Sequence, residues 1–573
     1  MSTKLYLISV LAASLTLHGA AMPTEAEVEK AVPKVERMLA SEKVALESGR
    51  MTRAEVAEAA MKLAADADDE AAKLLLMKGA FILHVKDGDL EKAVKTMNAL
   101  ETAIADMPPQ VVTNIIETAL LGLPNKAANG ARLYRLLDSA RESKVADGEN
   151  QKAVVGGYTW SYSVKNGVAT IEAKKDGKPC CAVSPKPTGD VVIPSTLGGA
   201  NVTSIGKEAF RDCKGLEAVT IPPSVTNIGD LAFYSCDIKS VNIPASVTSI
   251  GTQAFSDNSE LMSFSVEESN PSYSSRNGLL CTKDGATLIS GTSGDVEIPS
   301  SVTSIGDWAF TGRRQLTSVM IPSSVTNIGR TAFRWCSSLK SVTIPPGLTR
   351  IDENLFRECS GLTLITIPSN VTSIGWCAFW KCSGLKSVTI PSSVTYIGGC
   401  AFGCCDKLKS VSIPESATRI APEAFRFCRA LESVTIPSNL KILEHGVFAS
   451  TGLKSVTIPT NVTSIGRGAV AGCVDLTAVT IPDSVTNIGI DAFRGSGRVK
   501  SVTIPSSVRS ISDHAFAVCG ELTTVTMRGE RPTAPNNIFE GCGKLTSIHV
   551  PANCKSWAGM IEWQRIPLVF DGK

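Results

Sequence analysis

A chain of 573 residues is too long for one ordinary hydrophobic core, so it must be divided into domains or built as a repeat array. Its 43% hydrophobic and 20% charged residues are the composition of a folded soluble protein. The formal net charge of +2 carries no bulk signature of nucleic-acid binding, so any partner must be chosen by local patches.

The chain opens on MSTKLYLISVLAASLTLHGAAM, with one lysine, an apolar run from Leu5 to Leu17, and then Gly19, Ala20 and Ala21. That order predicts a secretory signal peptide over residues 1–21, cut near Ala21. The competing reading, a membrane anchor, meets an apolar run that falls short of the roughly 20 residues needed to span a bilayer. No cysteine stands at the cut, as a lipoprotein would require, and no later stretch is long and apolar enough to cross a membrane. A secreted or cell-surface location is expected.

Residues 22–144 have a helical texture. Thr24 with Glu27, and Thr52 with Glu55, are capping-box pairs ahead of Ala- and Leu-rich runs. The stretch from Asp68 to Met107 reads as an antiparallel helix pair broken at Asp87-Gly88-Asp89, and Pro108, Pro109 and Pro124 punctuate the next helices. Its GDLEKAV segment resembles the start of a tetratricopeptide-type second helix. A polar linker is expected over residues 145–158, then a hairpin that turns at Asn166-Gly167. This small β-unit, ending near residue 190, is placed to cap the open end of a solenoid.

From Val191 to Pro551 a 23-residue period takes over. The aromatic anchor recurs at Phe210, Phe233, Phe255, Phe310, Phe333, Phe356, Phe379, Phe402, Phe425, Phe448, Phe493, Phe516 and Phe539, with Val470 substituting once. The gap of 55 residues between Phe255 and Phe310 holds an insertion at about 267–295 that leaves the phase intact. In one period, LKSVTIP sets Leu385, Val388 and Ile390 inward on a short strand. Pro391 ends that strand because it has no ladder donor. Val394 and Ile397 then turn in a second apolar pair, Gly398 allows a bend, and GCAFGCCDKL makes a helical or irregular turn around Phe402. Each period is one coil, about fourteen in all. The retained residues are those that meet their own copies in the next coil.

The pattern AFxxCxxLxSVTIPxSVTxIGxxAF, met almost letter by letter at residues 332–356, resembles the BspA-type bacterial leucine-rich repeat family. The insertion SNPSYSSRNGLLCTKDGATLI is similar to a degenerate unit found in such proteins. The resemblance implies a bacterial exported or surface protein, used for adhesion or binding of host proteins. It departs from the familiar leucine-rich repeat in placing Pro where Asn or Cys follows the strand. The fold class expected is α+β, an N-terminal helical domain followed by a β-rich leucine-rich repeat solenoid, with residues 552–573 as the C-terminal cap. Trp557, Ile561 and Trp563 are expected to cover the last apolar face there.

The chain has 17 cysteines. Cys213, Cys236, Cys336, Cys359, Cys382, Cys405, Cys428, Cys473, Cys519 and Cys542 all stand three residues after the anchor, which marks a packing slot. Disulfides along that row stay possible, although in-register side chains lie alongside one another. Cys180, Cys181, Cys281, Cys377, Cys400, Cys404 and Cys554 fall outside the slot, and Cys377 and Cys400 lie one period apart. His84, His445, His514 and His549 are scattered, form no zinc-ligand spacing, and are read as solvent-exposed. No nucleophile elbow, phosphate loop or dinucleotide turn appears, so neither an enzyme nor a cofactor is expected. Carboxylates such as Glu358 and Asp491 sit at variable surface positions, and Asn-Val-Thr at 201, 370 and 461 arises within the repeat itself.

Candidate binding residues form a row at the first outward strand position: Lys239, Lys340, Lys386, Lys409, Lys454 and Lys500, with Thr317, Thr363, Thr477, Thr523 and Thr546 in equivalent places. Two readings of the row are open, recognition of an acidic partner and simple solubility of a long sheet. The function expected is recognition of an extracellular protein or glycan through the sheet face, with an envelope spacer as the alternative and a hydrolase behind it.

Overall fold

The computed structural model describes residues 53–65, nine positions between 77 and 96, and residues 147–172 and 181–571. The expected signal peptide, Cys180 and most of the expected helical domain lie outside the described residues. The chain divides into two compact units, one comprising residues 1–186, 193–209 and 222–226 and the other the remainder.

In the first unit, helix α1 (Arg53–Ala65) buries Ala57, Ala60 and Ala64, one face at three- and four-residue spacing. Glu55 in its first turn and Lys62 in its last complement the helix dipole. Positions 77, 80–82, 84, 92, 93, 95 and 96 are also helical. Strands β1 (Gly148–Val155), β2 (Tyr158–Lys165) and β3 (Val168–Ile171) form an antiparallel meander. Most of the expected linker is therefore strand β1, because Gly156 and Gly157, both at positive φ, make a two-residue hairpin turn. Asn166 and Gly167, at φ 53° and 75°, make the second such turn.

The repeats form a β-solenoid of about seventeen turns, more than the anchor count suggests. The additional turns carry no anchor phenylalanine: one is inserted before Phe310, where Gly291 N–H donates to Ala309, and one precedes Phe210, where Ala182 N–H donates to Ala209. Two parallel ladders run in register along the array. In one, Val342 pairs with Ile365 and Ile365 with Val388, while in the other Ile351 pairs with Ile374 and Ile374 with Ile397. The alternation SVT buries the valine and exposes its two neighbours. Successive turns approach closely at the bend: a Cβ on Gly398 would stand 2.6 Å from the Gly375 carbonyl carbon.

The remaining segment of each turn is neither helix nor strand, and its backbone polarity divides between two destinations. Thr331, Phe333 and Trp335 donate their N–H groups to Glu353, Leu355 and Arg357 of the next turn, at 2.9–3.0 Å. Ala332, Arg334 and Cys336 donate within their own turn, to Gly329, Thr331 and Phe333. This division needs left-handed backbone two residues before and two after the anchor, as at Thr331 (φ 63°) and Trp335 (φ 64°), and every anchor but Phe539 has both. Such a conformation costs a non-glycine residue roughly 1–2 kcal/mol. The hydrogen bonds to the next turn offset it, leaving the buried amides paired.

Inside, the anchor rings stack turn on turn. Phe310 to Phe333, Phe356, Phe379, Phe402, Phe425 and Phe448 are separated by 4.9–5.7 Å at small interplanar angles. All seven are completely buried. The cysteine slot proves more specific than packing alone. Cys336, Cys359, Cys382, Cys405 and Cys428 each point their thiol at the carbonyl of the preceding turn's anchor, at 3.0–3.3 Å. Where cysteine is missing, Asn258, Arg313, Thr451 and Ser496 stand in the slot, all hydrogen-bonding residues. Asn258 and Arg313 donate to the preceding anchor position, at Phe233 and Gly291, whereas Thr451 donates to its own anchor Phe448 and the Ser496 hydroxyl finds no partner among the described residues. Cys336, Cys359, Cys382, Cys405 and Cys428 are free and buried, and burial pushes the thiols of Cys382 and Cys473 up. These ladder thiols are expected to stay silent to alkylation in the folded protein and to react together on unfolding. Mass spectrometry that finds Cys336 and Cys359 joined would refute the donor role.

The insertion is a meander of Tyr273–Arg276, Leu279–Thr282 and Thr287–Ser290. Gly291 holds the anchor slot of that turn, since its N–H donates to Ala309 as an anchor's would. A Cβ there would stand 2.0 Å from the Phe310 ring. The Phe310 ring therefore fills the space a phenylalanine at 291 would take, and Arg313 beside it is fully buried. Its Nε donates to Gly291 at 2.9 Å, Nη1 to the Asn258 carbonyl at 3.3 Å and Nη2 to the Ser290 hydroxyl at 3.1 Å. At the far end Trp557 and Trp563 are buried and meet edge-on at 5.3 Å. Ile561 is 84% exposed and covers nothing, because Trp563 rather than Ile561 faces Phe539.

Candidate binding surface

Each turn commits its valines, isoleucines, anchor and slot donor to its neighbours, so variation is tolerated only at outward positions. On the first ladder these are the residue after the conserved leucine and the two flanking the buried valine. Lys239, Lys340, Lys386, Lys409, Lys454 and Lys500 are all exposed there. Their backbones join the inter-turn bonding: Lys386 N–H donates to the Thr363 carbonyl at 3.2 Å, and Lys409 N–H to the Lys386 carbonyl at 3.4 Å. Lys386 and Lys409 are therefore side-by-side neighbours.

The row is not uniformly cationic. Lys239 pairs with Glu217, and Lys454 with Glu432 at 2.6 Å. The Lys454 hydrogen bond and charge hold Glu432 below the usual carboxylate range, with Lys409 adding to the effect. Among the described residues no ion pair is formed by Lys340, Lys386 or Lys409, which with Thr363 make the most open cationic stretch. Met320 and Leu364, 67% and 55% exposed, occupy outward strand positions beside it.

A second surface lies on the turn segment. Trp335, Trp380 and Phe427 sit beside the anchors yet point outward, and they are half-buried beneath cations. Arg334 lies 3.9 Å from the Trp335 ring centroid, Arg357 4.4 Å and Lys381 4.3 Å from Trp380, and Arg426 4.6 Å from Phe427. A groove of about 490 Å³ runs past Arg314, Trp335, Glu358, Lys381, Asp406 and Phe427. Sequence reasoning missed these aromatics, since tryptophan beside a core phenylalanine reads as core. The signal available was that neither Trp335 nor Trp380 recurs at the period.

The other singled-out residues are dispersed. Glu358 and Asp491 pair with Arg357 and Arg494. Asn370 and Asn461 spend their side-chain amides on carbonyls of Pro346 and Ser438. His445, His514 and His549 lie beside Glu423, Glu540 and Asp571. His84 departs from the exposed reading: it is buried in the helical part of the first unit. Among the described residues no group of three or more His, Cys, Asp or Glu could hold a metal ion, and no helix is long and apolar enough to cross a membrane.

Parallel in-register ladders, a stacked anchor and a 23-residue turn define a leucine-rich repeat β-solenoid. The model of the BspA type leucine-rich repeat region matches in six copies, over residues 190–277, 292–382, 351–476 and 463–559. The chain belongs to this family, whose members are typically non-catalytic binding proteins. Among solved structures it is similar to a leucine-rich repeat protein from Bacteroides ovatus, at 25% identity and a TM-score of 0.49, over 75% of this chain and 100% of that one. A leucine-rich cell surface protein from Faecalibacterium prausnitzii shares 24% identity at a TM-score of 0.38, over 71% and 97% of the two chains. No curated protein matches.

Proposed function

We propose that the protein is exported or held at a cell surface and recognises an extracellular protein or glycan, without catalysis, through the outward face of the first ladder. The observation that carries this reading is the open stretch of Lys340, Lys386 and Lys409, held at fixed lateral spacing by a backbone that has no other use for those side chains. Rigid placement lowers the entropic cost of binding, and a cationic row favours an acidic partner such as a sulfated glycan or an acidic protein surface. The leader-like first residues support export.

Its test begins with a screen of the full chain against extracellular-matrix proteins and sulfated and unsulfated glycans. For the ligand found, reversing Lys386, Lys409 and Lys454 to Glu should slow association by about tenfold or more and flatten its salt dependence, because long-range attraction is screened over about 8–10 Å at physiological salt. Unchanged association by the folded triple variant would leave these lysines with solubility alone, the outcome an envelope spacer requires.

A further inference from the structure

Cys377 and Cys400 occupy the same place in consecutive turns, two residues before anchors Phe379 and Phe402. Both have φ of 53°, so their Cα–Cβ bonds leave a matched backbone in the same direction. The backbone holds that alignment: Cys377 N–H donates to Gly399 at 2.9 Å, and Cys400 N–H to Pro422 at 3.1 Å. Neighbouring turns of an in-register stack bring equivalent Cα atoms to roughly 5 Å, inside the ~4.4–6.8 Å window of a disulfide, and the side chains, which lie alongside one another, turn together by a small shift of the two turns when the bond closes. The Cys400 thiol also donates to the Glu423 carboxylate of the next turn, at 3.5 Å.

This pair differs from the ladder thiols in two ways. Ladder thiols are sealed in the core, and from Cys236 to Cys542 each is spent on an anchor carbonyl. Cys400 is only partly buried and its donor is aimed at an ionisable acceptor. Around it stand Trp376, 48% exposed, and Gly399, so the approach is flanked on one side by a small residue. Arg426 and His445 share Glu423, which holds that carboxylate in position.

We propose that Cys377 and Cys400 are a covalent modification site, a vicinal dithiol that exchanges with small-molecule disulfides and closes into a staple between two turns. In the first step the Cys400 proton passes to Glu423, and the thiolate attacks one sulfur of the external disulfide. A Cys400–S–S–R bond forms and RS⁻ leaves. Cys377 then attacks the Cys400 sulfur and expels the second RS⁻, and the two leaving thiolates take up the protons of Glu423 and Cys377. Two protein thiols and RSSR become one protein disulfide and two RSH, so the external disulfide is the oxidant that is reduced. The staple ties the turns containing Phe379 and Phe402 together beside the aromatic groove. It stands apart from the recognition reading and holds whichever face meets a partner.

The experiment exposes the folded full chain to oxidised glutathione, quenches with an alkylating agent, then unfolds and maps the cysteines by mass spectrometry. The expected product is a Cys377–Cys400 link, two hydrogens lighter than the dithiol, with ladder cysteines alkylated only after unfolding. Cys377→Ser should trap glutathione on Cys400 as a stable adduct, and Glu423→Gln should slow the link several-fold. The proposal is overturned if both thiols of the parent remain unmodified, if each carries its own glutathione without linking, or if the links join ladder cysteines instead.

Discussion

Replacing Phe379 by alanine is expected to lower the stability of the array by about 3–5 kcal/mol, the cost of truncating a fully buried aromatic side chain. The ring lies 5.5 Å from Phe356 and 5.2 Å from Phe402, at interplanar angles of 10° and 9°. A cavity there opens onto the turns before and after, each of which loses one of its two stacking partners. The check is a denaturant titration of parent and variant, which should shift the midpoint strongly. Coincident midpoints would remove Phe379 from the core and break the register on which the ladders rest.

Arg313→Ala is expected to cost a comparable amount, roughly 3–6 kcal/mol, for a different reason. The Gly291 carbonyl and the Ser290 hydroxyl lose their donor inside the core, at about 1–3 kcal/mol each when left unpaired, while the Asn258 carbonyl keeps the Leu261 N–H, and the emptied side-chain volume adds to the loss. Burial pushes the guanidinium down to about 10, which leaves it charged at neutral pH. Its forked geometry therefore gives three directed bonds from one planar group. Arg313→Lys keeps the charge but cannot reach all three, so it should recover only part of the loss. Hydrogen exchange should quicken in the inserted meander, residues 273–290, for both variants. Native exchange and an unshifted midpoint in Arg313→Ala would show that the insertion is held without this residue.

The solenoid was legible in the sequence because its core residues repeat. Phe, Ile, Val and Leu recur at one spacing, and every copy faces the next. The donor role of the cysteines was hidden because cysteine is equally at home as a small apolar residue. Asn258, Arg313, Thr451 and Ser496 in the same slot were the clue, since packing alone would have admitted alanine or valine. Gly291 escaped notice as an anchor because its turn is shorter than the period and the ring filling its place comes from Phe310. The ion pairs of Lys239 and Lys454 were illegible for a related reason: each partner glutamate lies a full turn earlier in the chain, and only the stack brings them together. Trp335 and Trp380 point outward because left-handed backbone beside the anchor redirects the chain, which periodicity does not report.

Recognition through the sheet face rather than the aromatic turn face is tested most directly by lysine footprinting, which separates the two. The full chain would be acylated with and without a ligand found by the screen, and each lysine read by mass spectrometry. Lys340, Lys386 and Lys409 report on the sheet, while Lys381, 4.3 Å from the Trp380 ring, reports on the groove. Bound ligand is expected to shield Lys386 and Lys409 and to leave Lys381 as reactive as before. Shielding of Lys381 with full reactivity at Lys386 and Lys409 would contradict recognition through the sheet.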